Sequence, residues 1–531
     1  MKSKFWIQLL QVLLGVLIGA LITLSVVKYR ESRHLMRVSY GAWPKLNVVL
    51  DLLDKHYVDD VDHAQVQESA IQAALSRLDP HSVYLPPVEL SASEEELAGN
   101  FEGIGIQFNV PNDTAIVLEV IPGGPSEKVG LRVGDRLLKV DDLVIAGVKF
   151  PQDSMVRHIK GPAGSKVTIT VQRGADVIPF EITRGKIPVH SVDAAFMVNG
   201  TVGYLCLNKF SKTTYLECQQ AAQDLVERGM KHLIFDVRNN SGGYMDQALL
   251  LSNDYLHAGD TIVYIEGKHR AKEVFRADGR GTLQDVELTV LIGENSASAS
   301  EIFAGAIQDN DRGTLIGRRS FGKGLVQEPF FFNDNSGIRL TVARYYTPSG
   351  RCIQKPYGAD DDYSYDIYRR YTGGEVFSAD SVKLDKSDVH HTRAGRLVYG
   401  GGGIMPDVFV PVDTSRTTRF YQQLNRKATP MRFASAMLDQ YGERLLSINS
   451  FDEMDRFLTQ LNLKVNFPHF ARVRDGIPCT EAEWDETESY LLPQLHALIA
   501  RYSRLGENAF YRYYLPIDTT VQKALELLDQ Q

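Results

Sequence analysis

LTVLIGENSASASEIFAGAIQD (residues 288–309) carries the reading of the fold. LTVLIG is a buried-strand run that passes through a turn of small residues into the helix-patterned EIFAGAIQD. The same alternation is written upstream. VGYLCLNKF (202–210) precedes the helix-like LECQQAAQDLVERG (216–229), and the strand LIFDVR (233–238) precedes the helix-like YMDQALLLSNDYL (244–256). Strands alternating with helices predict an α/β unit around a largely parallel sheet.

The flanks change character on both sides. Residues 98–186 hold short alternating runs (IGIQFNV, AIVLEVI, KVTITVQR) between Gly/Pro turns, a β-rich pattern. Residues 35–97 read as helical through VVLDLLDKHYV and AQVQESAIQAALSRL, and LDPHSVYLPP reads as the turn that stops them. Residues 356–402 are polar and rich in Gly, Tyr and Asp, which predicts a surface insertion. Residues 414–531 are helical by pattern, and no internal repeat is present. The fold class expected is therefore α/β and multidomain. Its parts are 1–34, a helical region at 35–97, a β-rich domain at 98–186, an α/β core at 187–413 and a helical extension at 414–531.

Residues 5–27 contain no charge and reach about 34 Å as a helix, enough for a hydrocarbon core of about 30 Å. No small-residue cleavage site follows, so the expectation is an uncleaved, single-pass anchor. Basic residues flank the span on both sides, so charge alone does not orient it. The short amino-terminal flank favours the body outside, in an inner membrane facing the periplasm. Gly15 and Gly19 form a G-x-x-x-G pair that would seat a helix dimer, or else an incidental spacing.

Composition narrows the function. The 531 residues carry 58 Lys plus Arg against 66 Asp plus Glu, a net charge of −8, which argues against nucleic acid as a partner. Apolar residues at 44% and charged residues at 23% are globular values. Cys206, Cys218, Cys352 and Cys479 are far apart and form no C-x-x-C pair, against zinc-ribbon and disulfide scaffolds. H-E-x-x-H and Walker A patterns are absent, and no cofactor or metal is expected.

Ser298 stands at the start of a helix, where N–H groups are free and the dipole favours negative charge. Ser298-Ala299-Ser300-Glu301 also fits the capping box S-x-x-E, so Ser298 reads either as a cap or as a nucleophile. Lys323, in the apolar FGKGLVQ, has no acidic residue in sequence nearer than Glu328. Desolvated there, its amine would lose charge readily and serve as general base to a serine hydroxyl. Gln327, four residues on, would share its face in an extended chain and orient the amine. S-x-x-K also occurs at Ser320–Lys323, but glycines flank that lysine and S-D-N and K-T-G are missing, so Ser320 reads as incidental. His81 and His390-His391 fall in a turn and in the insertion, which disfavours a Ser-His-Asp triad.

FEGIGIQF (101–108), VIPGGPSEKVGLRVGDRLLKVDD (120–142) and IKGPAGSKVTITV (159–171) together resemble a PDZ domain, against the bland reading of a small β-barrel. That resemblance implies a loop, Gly103-Ile104-Gly105-Ile106, offering N–H groups to a peptide carboxylate, with the strand from Ile106 accepting the peptide. The whole order resembles the C-terminal processing peptidases (tail-specific proteases), which are serine–lysine endopeptidases with a PDZ domain ahead of the core. The blocks that carry it are LDPHSVYL (78–85), LIFDVRNNSGG (233–243), SASASEIFAGAIQD (296–309), FGKGLVQ (321–327), LTVARYYTPSGRCIQ (340–354) and GIMPD (403–407). The resemblance implies Ser298 as nucleophile, Lys323 as base and Gln327 as its orienting residue. It also implies an oxyanion hole from Ala299 and one of Gly242 or Gly243. Ser241 and Cys352 replace the proline and serine common in the family.

The function expected is a membrane-anchored serine endopeptidase that captures proteins by their free carboxyl termini. The extension at 414–531 is expected to support a homo-oligomer or to shield the site. The alternatives are a catalytically inactive PDZ adaptor or chaperone, and a lipid-handling relative of the core.

Overall fold

The computed structural model describes residues 44–110, 113–358, 363–416 and 418–530, together with Gly19. Apart from Gly19, the span expected at 5–27 lies outside the described residues. Among the described residues no helix is long and apolar enough to cross a membrane. The chain divides after Arg77 into two compact units. In the first, helices run over Pro44–His56 and His63–Leu75, and Asp62 caps the second by accepting the Gln65 N–H at 3.0 Å.

The second unit is built on a six-stranded sheet in the order Val192–Met197, Val202–Leu207, His232–Asp236, Glu287–Ile292, Thr314–Gly317 and Val408–Phe409. The first pair is antiparallel and the other pairs are parallel. Val202–Leu207 is buried at every position, as a strand covered on both faces must be. Helices Thr214–Glu227, Met245–Tyr255 and Ala299–Asp309 belong to this layer. Every residue of Ala299–Asp309 is buried, so it is a core helix. Its last residue, Asp309, pairs with the fully buried Arg351 at 2.7 Å.

A five-stranded antiparallel sheet flanks this layer and contains Val83–Leu85, Thr261–Gly267, Arg270–Arg276, Leu325–Phe331 and Gly337–Tyr346. LDPHSVYLPP is therefore more than a turn. The Asp79 carboxylate accepts the N–H groups of His81 and Ser82 at 2.8 and 2.9 Å, and Val83–Leu85 then pairs with Gly337–Arg339. A three-residue strand is too short to show a period in sequence.

The β-rich region forms its own sheet from Ile106–Asn109, Ala115–Val120, Arg136–Val140, Lys166–Arg173 and Asp176–Thr183, with Leu143–Val144 beside Arg136–Val140. Helices Pro125–Val129 and Gln152–Ile159 close it around Val117, Leu137, Met155 and Ile169. The carboxyl-terminal region is helical from Arg419–Arg426 to Thr519–Leu528. Its apolar core takes in Ile116 of the β-rich sheet, and Arg136 pairs with Asp439 at 2.7 Å. Its last helix packs Val521 and Ala524 with Ile234, Leu291 and Ile316 of the parallel sheet.

The stretch 356–402 is not purely a surface insertion. Arg370 is buried, pairs with Glu375, and donates to the carbonyls of Ser320 and Arg319 at 3.0 and 2.5 Å, next to Lys323 in the chain.

Candidate active site

The turn before Ala299–Asp309 is stitched to the loop after the strand His232–Asp236. Ser296 Oγ donates to the Val237 carbonyl at 2.8 Å. Ala297 N and Ser300 Oγ both donate to the Asn240 carbonyl, at 3.1 and 2.8 Å. Ser298 is held at φ 56° and ψ −113°, a region that non-glycine residues rarely occupy. The expected capping box is present, with the Ser298 N–H donating to the Glu301 carboxylate at 2.9 Å.

Glu301 does more than cap. Fully buried, it also accepts the N–H groups of Gly322 and Lys323 at 2.7 and 2.8 Å and the Ser320 hydroxyl at 2.5 Å. Burial raises its pKa, while these donors oppose the rise. One carboxylate thus ties the Ser298 backbone to the Lys323 backbone. The Tyr345 hydroxyl makes the same connection, reaching the carbonyls of Lys323 at 2.5 Å and of Ser298 at 3.2 Å. Ser320 is therefore a structural support rather than an incidental residue, which corrects the sequence reading.

Lys323 follows this turn and lines the cavity, with most of its side chain shielded from water. Burial, then the nearby Arg339 cation, lower its pKa from 10.5 to about 8, against the opposing pull of Glu301 and Asp79. The lysine is thus not free of acidic neighbours, as the sequence suggested, yet desolvation dominates. Its Nζ donates to Gln327 Oε1 at 3.1 Å, and Gln327 Nε2 donates to the His81 carbonyl at 2.6 Å. The His81 ring lies 2.8 Å from the Tyr363 hydroxyl, and burial followed by the Lys323 charge hold its pKa at about 4. His81 thus enters the site through its backbone carbonyl. Nothing in the local pattern marks Asp79, His81 or Tyr345 as neighbours of Lys323. Only the presence of LDPHSVYL and LTVARYYTPSGRCIQ among the blocks of the family resemblance hinted at them.

Ser298, Lys323, Gln327, Ala299, Gly242 and Gly243 all line one cavity of about 550 Å³. Gly242, at φ +100°, has no room for a side chain, since a methyl there would lie 2.8 Å from Ser298 Cβ and 3.0 Å from Ala299 N. The Gly242 N–H is taken by Asn240 Oδ1 at 2.8 Å. The hydrogen bonds of the Phe210–Gly243 bridge use the Gly242 carbonyl and the Tyr244 N–H, leaving the Gly243 N–H out of the ladder.

The four β-rich residues lie apart from this cavity. Gly103 ends a strand, Ile104 is buried, Gly105 sits at φ +78°, and Ile106 begins Ile106–Asn109. The carbonyls of Ile104 and Gly105 are taken by the N–H groups of Ser126 and Ile121. Ile106–Asn109 pairs with Ala115–Val120 on one side and is an edge strand of its sheet. Among the described residues no group of His, Cys, Asp and Glu could hold a metal ion.

The model of peptidase family S41 matches residues 201–365, and that of the PDZ domain matches residues 103–183. The chain is similar to the "Probable CtpA-like serine protease" of Staphylococcus aureus (strain N315), with 33% identity over 357 residues, covering 66% of this chain and 71% of the relative. The protein of the same name from Staphylococcus epidermidis (strain ATCC 12228 / FDA PCI 1200) is 32% identical over 357 residues, covering 66% and 72%. Among solved structures, the photosystem II D1 C-terminal processing protease aligns at 27% identity and a TM-score of 0.38, covering 70% of this chain and 87% of that one.

Proposed function

Because this chain belongs to peptidase family S41 and is a serine-type peptidase, we propose that Ser298 is its nucleophile and Lys323 its general base. The observation that carries the reading is the double tether of Glu301 and Tyr345, which fixes the serine turn to a lysine whose pKa is lowered to about 8. The neutral amine takes the Ser298 proton as Oγ attacks the scissile carbonyl. The developing alkoxide is met by the Ala299 and Gly243 N–H groups, and Gly242 leaves the space it needs. The ammonium then protonates the leaving amine. After that the neutral lysine draws a proton from the water that frees the acyl group.

Gln327, held by the His81 carbonyl, orients the amine. The inactive-adaptor alternative gives no reason for Ser298, Lys323 and Gln327 to share one cavity. In this reading Gly103–Ile106 take the free carboxyl terminus of a protein substrate, and the edge strand Ile106–Asn109 adds it to the sheet. Residues 5–27 anchor the chain, with its body on the outer, periplasmic face of the inner membrane. Digestion of an unstructured protein by the full-length chain tests the assignment. Wild type should cleave it and a folded Ser298→Ala chain should not. Equal cleavage by both would overturn the assignment.

A further inference from the structure

We propose that Phe331 forms a substrate subsite away from Ser298, which takes an apolar side chain of an extended polypeptide about three to five residues from the scissile bond. The inference rests on the assignment of Ser298 as nucleophile.

The argument is one of register. Leu325–Phe331 pairs along one edge with Gly337–Tyr346, while Val83–Leu85 and Thr261–Gly267 pair with the opposite edge of that strand. Among the described residues no strand covers the outer edge of Leu325–Phe331. Gln327 faces Thr341; Pro329 stands in a row with Arg339 and Val83; Phe331 stands in a row with Gly337 and Leu85. Alternate residues of a strand share a face, so these three rows lie on the same side of the sheet.

Gln327, Pro329, Arg339 and Leu85 already line the cavity that holds Ser298 and Lys323. Phe331 therefore continues the cavity face outward, and it is 58% exposed. Helix Pro87–Ala98 supplies the facing wall. Its Leu90 lies 3.2 Å from where a methyl on Gly337 would stand, and its Ser93 hydroxyl accepts from Arg339 at 2.5 Å. Four residues of strand separate Gln327 from Phe331, about 13 Å, which an extended peptide spans in about four residues. The uncovered strand edge offers backbone pairing to such a peptide, and Phe331 offers an apolar platform beside it.

Phe330 is an internal control. It is 45% exposed and equally apolar, but its row is Ile338 and Tyr84 on the other face. The experiment uses the full chain with twelve-residue peptides carrying one phenylalanine at successive positions on either side of a fixed cleavage site, with products mapped by mass. Wild type should prefer phenylalanine at a position three to five residues from the bond, about tenfold in kcat/KM. Phe331→Ser should lose that preference through KM, while Phe330→Ser keeps it and peptides of four residues are cleaved equally by all three. The inference is overturned if no such position exists, if Phe331→Ser keeps the preference, or if both variants lose it. Cleavage that persists in Ser298→Ala would instead overturn the underlying assignment, and absence of any cleavage by wild type would overturn both.

Discussion

Arg339→Gln perturbs the electrostatics of Lys323 without touching its hydrogen bonds. Arg339 is the leading charge that lowers the lysine, after burial itself. A drop from 10.5 to about 8 raises the neutral fraction of the amine at pH 7 roughly 300-fold, to about one part in eleven. The turnover number should therefore climb about tenfold per pH unit below 8 and level off above it, because protonation removes the base. Removing one nearby cation is worth about half to one pKa unit. The rising limb of the variant should move alkaline by that amount, costing about three- to tenfold in kcat at pH 7 and nothing at pH 10. Arg339→Lys should restore the wild-type limb. Because Arg339 also lines the cavity, the position of the limb is the readout, since changed substrate affinity scales rates without moving it in kcat. A limb that stays in place or moves acid, or a wild-type profile flat from pH 6 to 9, would refute the reasoning.

Three further outcomes follow from the same contacts. Lys323→Met should stabilise the chain by about 3 kcal/mol at pH 7, because the unfolded lysine binds its proton more tightly than the folded one. Wild type recovers that stability as pH rises from 8 through 10.5, so the gap between the pair in urea titrations should shrink to less than about 1 kcal/mol by pH 10. Ser320→Ala deprives the buried Glu301 of a donor and should cost about 1–3 kcal/mol in thermal unfolding, with lower kcat. Amidating the terminus of a peptide bound at Gly103–Ile106 should weaken binding by about 1.5–3 kcal/mol in calorimetry; equal affinity would remove the tail-capture reading.

The strand–helix alternation from Val202 to Asp309 was legible because buried parallel strands are continuous apolar runs. Ser298, Lys323 and Gln327 were legible as residue types in unusual settings, and the structure brings them to one cavity. The second role of Glu301 was not, since its S-x-x-E spacing to Ser298 is already accounted for by a cap. Its bonds to Ser320, Gly322 and Lys323 bridge about twenty residues that no local period connects. The His81 carbonyl reaches Gln327 across 246 residues, and a backbone acceptor leaves no trace in side-chain chemistry. The polar composition of 356–402 hid Arg370 and Glu375, whose charges are buried as a pair. Gly242 and Gly243 are alike in sequence, and only backbone bonding tells them apart: the Gly242 N–H is taken by Asn240, while the bridge to Phe210 leaves the Gly243 N–H out.

Lys323→Arg tests the central claim most directly. Arginine keeps a positive charge on a long side chain but stays protonated at every accessible pH, so it cannot take the Ser298 proton. Digestion of an unstructured protein by the folded variant, followed from pH 6 to 10, should show no turnover at any pH, while wild type rises through about pH 8. Turnover by Lys323→Arg at a wild-type rate would contradict the account.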